Sequence, residues 1–362
     1  MQEISLDTLG WDTHFAEHFK PFATQGLIAA RVAVEHRGAY IVYAELGELQ
    51  AELTGRARHD AMSRSDLPAV GDWVAAEMRP GESRVVIHAV LPRRGQFSRN
   101  VAGFTTEEQI LAANIDTTFL TTSLTSELNQ RRLERYLTLA WAGGANPVVV
   151  LTKADICDAL ESAVAKVEAV ALGVPVHITS SVTGAGVEEL KRYFEGHRTV
   201  ALLGSSGVGK SSLVNSMLGR ELQDVQELRN DGKGRHTTTK RELIVLPRGG
   251  LMIDTPGMRE LQLWDDTGGL EEAFEDISAI AGECHFRDCR HEQEPGCAVL
   301  HAVANGLLPQ ERLDSYRKLQ RELNHLHLKQ DRRAASEQRR KLRAVHRSRR
   351  GTGRNVGRST RD

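Results

Sequence analysis

The chain of 362 residues is 40% hydrophobic and 26% charged, a globular composition with length for more than one domain. No apolar run nears the roughly 20 residues of a membrane-spanning helix and no signal-peptide pattern opens the chain, which argues against membrane and secreted classes and makes the cytoplasm the expected compartment. The near-neutral charge hides an asymmetry: from Glu311 onward 17 Lys and Arg face 6 Asp and Glu, whereas the rest holds 30 against 42, the acidic body and basic tail of a nucleic-acid binder.

Residues 1–22 read as an N-terminal extension, mildly amphipathic, with Leu6, Leu9, Trp11, Phe15 and Phe19 as its apolar positions. Over 23–95 five short strands are predicted, at Ile28–Glu35, Tyr40–Ala44, Gln50–Leu53, Asp72–Met78 and Arg84–Val90. Turn signals at His36-Arg37-Gly38, Gly55 and Pro80-Gly81 separate them. Such a run builds a small barrel of the OB type, and an SH3-like barrel fits the same pattern. Arg31, Arg37, Arg56, Arg58, Tyr40 and Tyr43 are its candidate RNA-binding residues, since OB barrels hold single strands through basic and aromatic side chains.

From about Asn114 strands and helices alternate, the pattern of a largely parallel sheet covered on both faces. Strands are expected at Asp116–Thr122, Pro147–Leu151, Val174–Ile178, Thr199–Leu203, Arg241–Leu246 and Leu251–Ile253. Helices are expected at Gln130–Ala142, Asp158–Leu172, Val187–Phe194 and Lys210–Leu218. This α/β domain is placed at 96–270, a helical domain at 271–330, and a basic unstructured tail at 331–362.

The sequence Gly204-Ser205-Ser206-Gly207-Val208-Gly209-Lys210-Ser211 is a phosphate loop in its proper strand–helix setting, with Ser212 following in the helix. Its glycines let the backbone amides turn inward, Lys210 reaches the β- and γ-phosphates, and the Ser211 hydroxyl ligates magnesium. Asp254-Thr255-Pro256-Gly257 ends a strand, where the Asp254 carboxylate can hold magnesium through water and the Gly257 amide can sense the γ-phosphate. Thr152-Lys153-Ala154-Asp155 resembles the guanine-reading Asn-Lys-x-Asp motif of GTPases. Asp155 would accept from guanine N1–H and the exocyclic amine, and Lys153 would cover the ring. Taken alone, that tetrapeptide also fits a loop with Asp155 as a helix N-cap. Thr179-Ser180-Ser181 follows the next strand and resembles the motif that meets the guanine carbonyl. The guanine motifs precede the phosphate loop, the reverse of ordinary small GTPases, as a circular permutation would have it.

Three cysteines and a histidine, Cys284, Cys289, His291 and Cys297, fall within fourteen residues and suit one structural zinc per chain, with His285 and His301 as rival ligands. Cys157 reads as a buried helical residue.

Barrel, permuted nucleotide domain, Cys/His knot and basic tail together resemble the circularly permuted GTPases of small-ribosomal-subunit biogenesis, the RsgA or YjeQ family. Gly234–Thr238 resembles that family's switch segment. The resemblance implies a GTP hydrolase needing magnesium, a structural zinc, and binding to the small ribosomal subunit and its rRNA late in maturation, with rRNA contact stimulating hydrolysis and GDP favouring release; a monomer is expected. Thr152 stands where Asn is usual, which is expected to weaken a tie to the phosphate loop. Met258 stands where many GTPases place a water-orienting Gln, so slow intrinsic turnover is expected. His236 is the candidate for placing the water, with RNA contact as its other reading. Thr237 or Thr238 would meet magnesium or the γ-phosphate. A non-hydrolysing guanine-nucleotide-regulated RNA-binding module is the alternative that Met258 leaves open, and an ATP-driven RNA remodeller is a weaker one that Asp155 opposes.

Overall fold

A computed structural model describes residues 5–36, 38–79, 81–100, 108–125, 128–229, 241–246, 248–254 and 268–328. Asp12 caps α1 (Thr13–Ala23), its carboxylate accepting from the His14 and Phe15 amides. Trp11 and Phe15 lie four residues apart and pack on buried Trp73, with ring centroids 4.6 and 5.7 Å away. The stretch expected only as an extension is therefore a capped helix seated on the barrel.

Five strands form that barrel: β1 (Ile28–His36), β2 (Ala39–Ala44), β3 (Gly47–Leu53), β4 (Trp73–Met78) and β5 (Arg84–Val90). β1 pairs with β2 and β2 with β3, both antiparallel; β3 runs parallel to β5, and β4 closes the ring antiparallel to both β5 and β1. With α2 (Gly55–Asp60) between β3 and β4, this is the OB arrangement rather than the SH3-like one. Alternate side chains fill the interior: Ala30 and Val32, Tyr40 and Val42, Leu49 and Ala51, Val74 and Ala76, Val85 and Ile87. Three of the residues expected to offer an RNA surface are thereby removed from it. Tyr40 lies in the barrel core, Tyr43 is buried in the main core, and Arg31 is 2% exposed. Arg56 and Arg58 are exposed as expected, and Arg37 lies outside the described residues.

A hairpin that the pattern did not announce follows, β6 (Gln96–Asn100) with β7 (Glu108–Ala113). The main sheet then comprises β8 (Thr117–Ser123), β9 (Asn146–Thr152), β10 (Val176–Ile178), β11 (Thr199–Leu203), β12 (Glu242–Val245) and β13 (Leu251–Asp254), in the order β10-β9-β8-β11-β13-β12. All are parallel except β12, which runs antiparallel beside β13. β12 also pairs with β1 at Val34 and Glu242, joining sheet and barrel edge to edge. Val149 and Leu151 face one side, with Leu133 and Leu137 of α3 (Gln130–Ala142). Val148 and Val150 face the other, with Leu213 and Met217 of α5 (Lys210–Arg229) and with Leu190 and Phe194. The near-continuous apolar strands follow from this double coverage. The expected helix at Val187–Phe194 is a 3-10 helix, Glu188–Phe194, and α4 spans Leu160–Glu168. α5 is bent at Gly219, where helix prediction stops one residue earlier.

The C-terminal part holds α6 (Gly269–Ala273), α7 (Glu275–Ala281), α8 (Ala298–Ala304) and α9 (310–328). Two buried arginines join the parts. Arg31 donates to the carbonyls of Leu9, Gly71 and Asn114 and to Thr199 Oγ1, so one guanidinium ties four distant segments, and burial pulls its pKa down to about 10. Arg312 bridges Glu134 on α3 and Asp276 on α7, each at 2.9 Å. Burial works against its charge, yet the Asp276 and Glu134 carboxylates hold its pKa above the ordinary value. Among the described residues no helix is long and apolar enough to cross a membrane.

Candidate functional site

Because β8, β9, β10, β11 and β13 are parallel neighbours, their carboxyl ends open on one rim of the sheet, where α/β folds hold nucleotides. Four of these ends carry the motifs picked out by sequence: Thr152 closes β9, Thr179 follows β10, Gly204 follows β11 and Asp254 closes β13. The topology thus brings together segments up to 102 positions apart in the chain, and in the register of β11 and β13 Ala201 lies opposite Ile253. The backbone of Asp254 therefore ends beside the last residues before the phosphate loop.

The loop itself explains its glycines. A Cβ on Gly204 would lie 2.3 Å from the Thr121 carbonyl of β8, and Gly209 has φ +98°, the left-handed region. Lys210 donates to the carbonyls of Gly204 and Ser205 at 2.7 and 2.5 Å, so its ammonium curls over the loop. Ser206, Gly207, Ser211 and Ser212 are exposed on the rim, whereas Val208 is buried beneath it. Arg132 of α3 donates to Ser205 Oγ at 2.8 Å.

Thr152 makes the tie to the phosphate loop itself. Its hydroxyl, on a residue 2% exposed, donates to the Val208 carbonyl inside the phosphate loop at 2.5 Å. The tie that Asn was expected to be needed for is present, made by a shorter side chain. Lys153 follows with φ +61°, and the Ala154 amide bonds the Thr179 carbonyl, so the loops after β9 and β10 are stitched together. Ser180 Oγ donates to Asp155 Oδ1 at 2.6 Å and accepts from the amides of Val182 and Thr183. That hydroxyl holds the Asp155 carboxylate on the exposed rim. Ser181 is half-buried beside it. His236, Thr237, Thr238, Gly257 and Met258 lie outside the described residues, as does the side chain of Asp254.

Among the described residues, Cys284, Cys289, His291 and Cys297 converge, with all four ligand atoms within 4.8 Å of one another. His291 Nδ1 lies 3.6 Å from Cys284 Sγ and 3.4 Å from Cys297 Sγ, and the two sulfurs are 3.9 Å apart. A disulfide would need about 2.05 Å; tetrahedral metal bonds of about 2.3 Å to sulfur and 2.1 Å to nitrogen imply edges of roughly 3.6–3.8 Å, and these three separations lie within about 0.2 Å of that range. Burial keeps His291 below the usual imidazole range, favouring the neutral form that a metal takes. The rivals fall away: His301 is engaged by Asn305 at 3.1 Å, and the exposed His285 ring packs on Phe286. The cluster can hold a metal ion. Cys157 is half-buried at the end of a 3-10 turn rather than within a helix.

Sequence reasoning missed Arg132, Tyr136 and Ser205 as a contact set, and missed Arg31 and Arg312 as hubs. None has a local pattern, because each partner lies tens of residues away.

Residues 90–264 match the family described as RsgA GTPase, and residues 199–333 match one described as 50S ribosome-binding GTPase. The small ribosomal subunit biogenesis GTPase RsgA of Opitutus terrae is 48% identical over 329 residues, 88% of this chain and 90% of that protein. The crystal structure of YjeQ from Thermotoga maritima matches with a TM-score of 0.63 at 29% identity, over 82% of this chain and 98% of that one. YloQ, described as a circularly permuted GTPase, matches with a TM-score of 0.59 at 26% identity, over 83% and 96%. With the barrel, the motif order and the Cys/His cluster all in place, the chain belongs to the RsgA family of GTPases.

Proposed function

We propose that this chain is a cytoplasmic, monomeric GTP hydrolase that binds the small ribosomal subunit and its rRNA and assists late maturation of that subunit. The observation that carries the reading is the gathering of phosphate loop and guanine motifs, in permuted order, on one rim of a parallel sheet. Full-length relatives named for the small subunit support the choice of partner over the 50S description, which matches only residues 199–333.

In this reading Asp155, oriented by Ser180, selects guanine, and the stem of Lys153 covers the ring. The amides of Gly204–Gly209 and the Lys210 ammonium receive the phosphates. Ser211 and Asp254 would hold magnesium, which when bound neutralises charge on the β- and γ-phosphates. Gly257 and Thr237 or Thr238 would serve the γ-phosphate, and His236 would place the water that Met258 cannot. Cys284, Cys289, His291 and Cys297 hold one zinc that serves structure, since all four positions are taken by protein. The exposed Arg56 and Arg58 and the arginines after Leu328 supply contacts to RNA phosphates, without sequence readout.

Co-sedimentation with purified small subunits tests the reading. The chain should pellet with the subunit in a non-hydrolysable GTP analogue and stay in the supernatant in GDP. Truncation after Leu328 should weaken the association and flatten its salt dependence. Equal binding to large subunits would contradict the choice of partner.

A further inference from the structure

Helix α3 makes two sets of contacts that the proposed mechanism does not use. On one face Arg132 Nη1 donates to Ser205 Oγ at 2.8 Å, and the Tyr136 hydroxyl lies 3.5 Å from the same atom. Ser205 is the second residue of the phosphate loop. At neighbouring positions the helix is fixed to the C-terminal domain. Glu134 and Arg312, both under 5% exposed, pair at 2.9 Å, and Arg135 makes a two-pronged bond with Glu322 at 2.7 Å for each arm. α6 crosses the helix so closely that a Cβ on Gly269 would lie 2.5 Å from the Ala142 amide nitrogen. Arg312, Tyr316 and Glu322 all sit on α9, and the Tyr316 ring lies 6.3 Å from that of His291 in the metal cluster.

A phosphate loop binds through amides whose directions are set by the backbone, so any group that fixes the backbone sets the affinity. Thr152 holds the loop at Val208 from below. Arg132 holds it at Ser205, from a helix that is bolted to another domain.

We propose that Arg132 is a positioning residue, holding the phosphate loop through the Ser205 hydroxyl, and that α3 thereby lets the metal-holding domain set the loop's shape and its affinity for guanine nucleotide. The proposal rests on the reading of that loop as the GTP site. A shift of the C-terminal domain, such as docking on a large partner could cause, would be felt by the phosphates through one rigid helix, with no movement of the base-reading loops after β9 and β10.

A double-mutant cycle on the full chain tests this, with fluorescent GDP in equilibrium titration. Wild-type affinity for GDP tests the underlying reading by itself, and the cycle is then measured relative to it. Arg132→Met and Ser205→Ala should each weaken GDP about three- to tenfold, the range for losing one hydrogen bond to a charged group near the surface. The double variant should be no weaker than the worse single. Glu322→Ala, which frees the Arg135 anchor of α3, should weaken GDP about twofold with an unchanged unfolding midpoint. Additive losses would overturn the proposal, because Arg132 and Ser205 would then act separately. So would an Arg132→Met variant that loses turnover at saturating GTP but keeps its GDP affinity, since the guanidinium would then serve the transferring phosphate directly. A Glu322→Ala variant with wild-type affinity would remove the C-terminal domain from the coupling.

Discussion

Replacing Thr152 with valine removes one hydroxyl and almost no volume, so its effect isolates the bond to the phosphate loop. In the native chain that hydroxyl donates to the Val208 carbonyl at 2.5 Å, and the Thr122 carbonyl lies farther off at 3.3 Å. Both Thr152 and Val208 are 2% exposed, so water cannot readily replace the lost donor. Leaving a buried carbonyl unpaired costs about 1–3 kcal/mol. The loop can relieve that cost by relaxing, but only by turning its amides away from the directions that phosphates need. About 1.4 kcal/mol, in the lower half of that range, corresponds to a tenfold weaker GDP complex. Titration with fluorescent GDP should therefore show about a tenfold rise in Kd for Thr152→Val, while exclusion of ATP persists because Asp155 and Ser180 are untouched. Thr152→Asn should bind close to wild type, its side-chain amide supplying a donor to the same carbonyl. A Thr152→Val protein with wild-type affinity would refute the argument that this hydroxyl holds the loop.

Asp155→Ala should abolish the preference for guanine over adenine nucleotides, read by competition of ATP against labelled GDP; retained preference would place base recognition elsewhere. Purified protein should contain about one zinc per chain by metal analysis, and Cys289→Ser should lose the metal and destabilise α8 and α9, seen as faster amide exchange there. Arg312→Met should cost about 3–5 kcal/mol in denaturant unfolding, because it strands the buried Glu134 carboxylate and the Asp276 carboxylate without a partner. Adding Glu134→Gln to that variant should recover part of the loss.

The chemistry at the rim was legible in sequence because each motif is local. A strand, a glycine turn and a helix start fit within a dozen residues, and parallel topology does the rest. The barrel was legible for the same reason, its strands being short and alternating. Which face of β1 looks outward was not. Arg31 alternates with Ala30 and Val32, so pattern puts it outside the barrel, but outside need not mean solvent. The structure covers that face with residues around Leu9, Asn114 and Thr199, up to 168 positions away, and makes it an interface. Tyr40 was misread for a simpler reason: its ring belongs to the inward set of β2, with Val42 and Ala44. The β6–β7 hairpin escaped because Gln96–Asn100 has little apolar alternation and is held by packing; a Cβ on Gly143 would touch the Phe97 ring at 2.7 Å. At Thr152 the departure from the usual Asn suggests a weaker tie, and the sequence cannot show that the hydroxyl reaches Val208, because the distance from β9 to that carbonyl is not local.

The central claim, a GTPase that works on the small ribosomal subunit, is tested most directly by GTP turnover of the purified full-length chain, alone, with small subunits and with large subunits. Met258 predicts slow turnover alone, and the account predicts strong acceleration by small subunits only, lost in His236→Ala while GDP and subunit binding persist. Turnover that small subunits leave unchanged, or that large subunits accelerate equally, would contradict it.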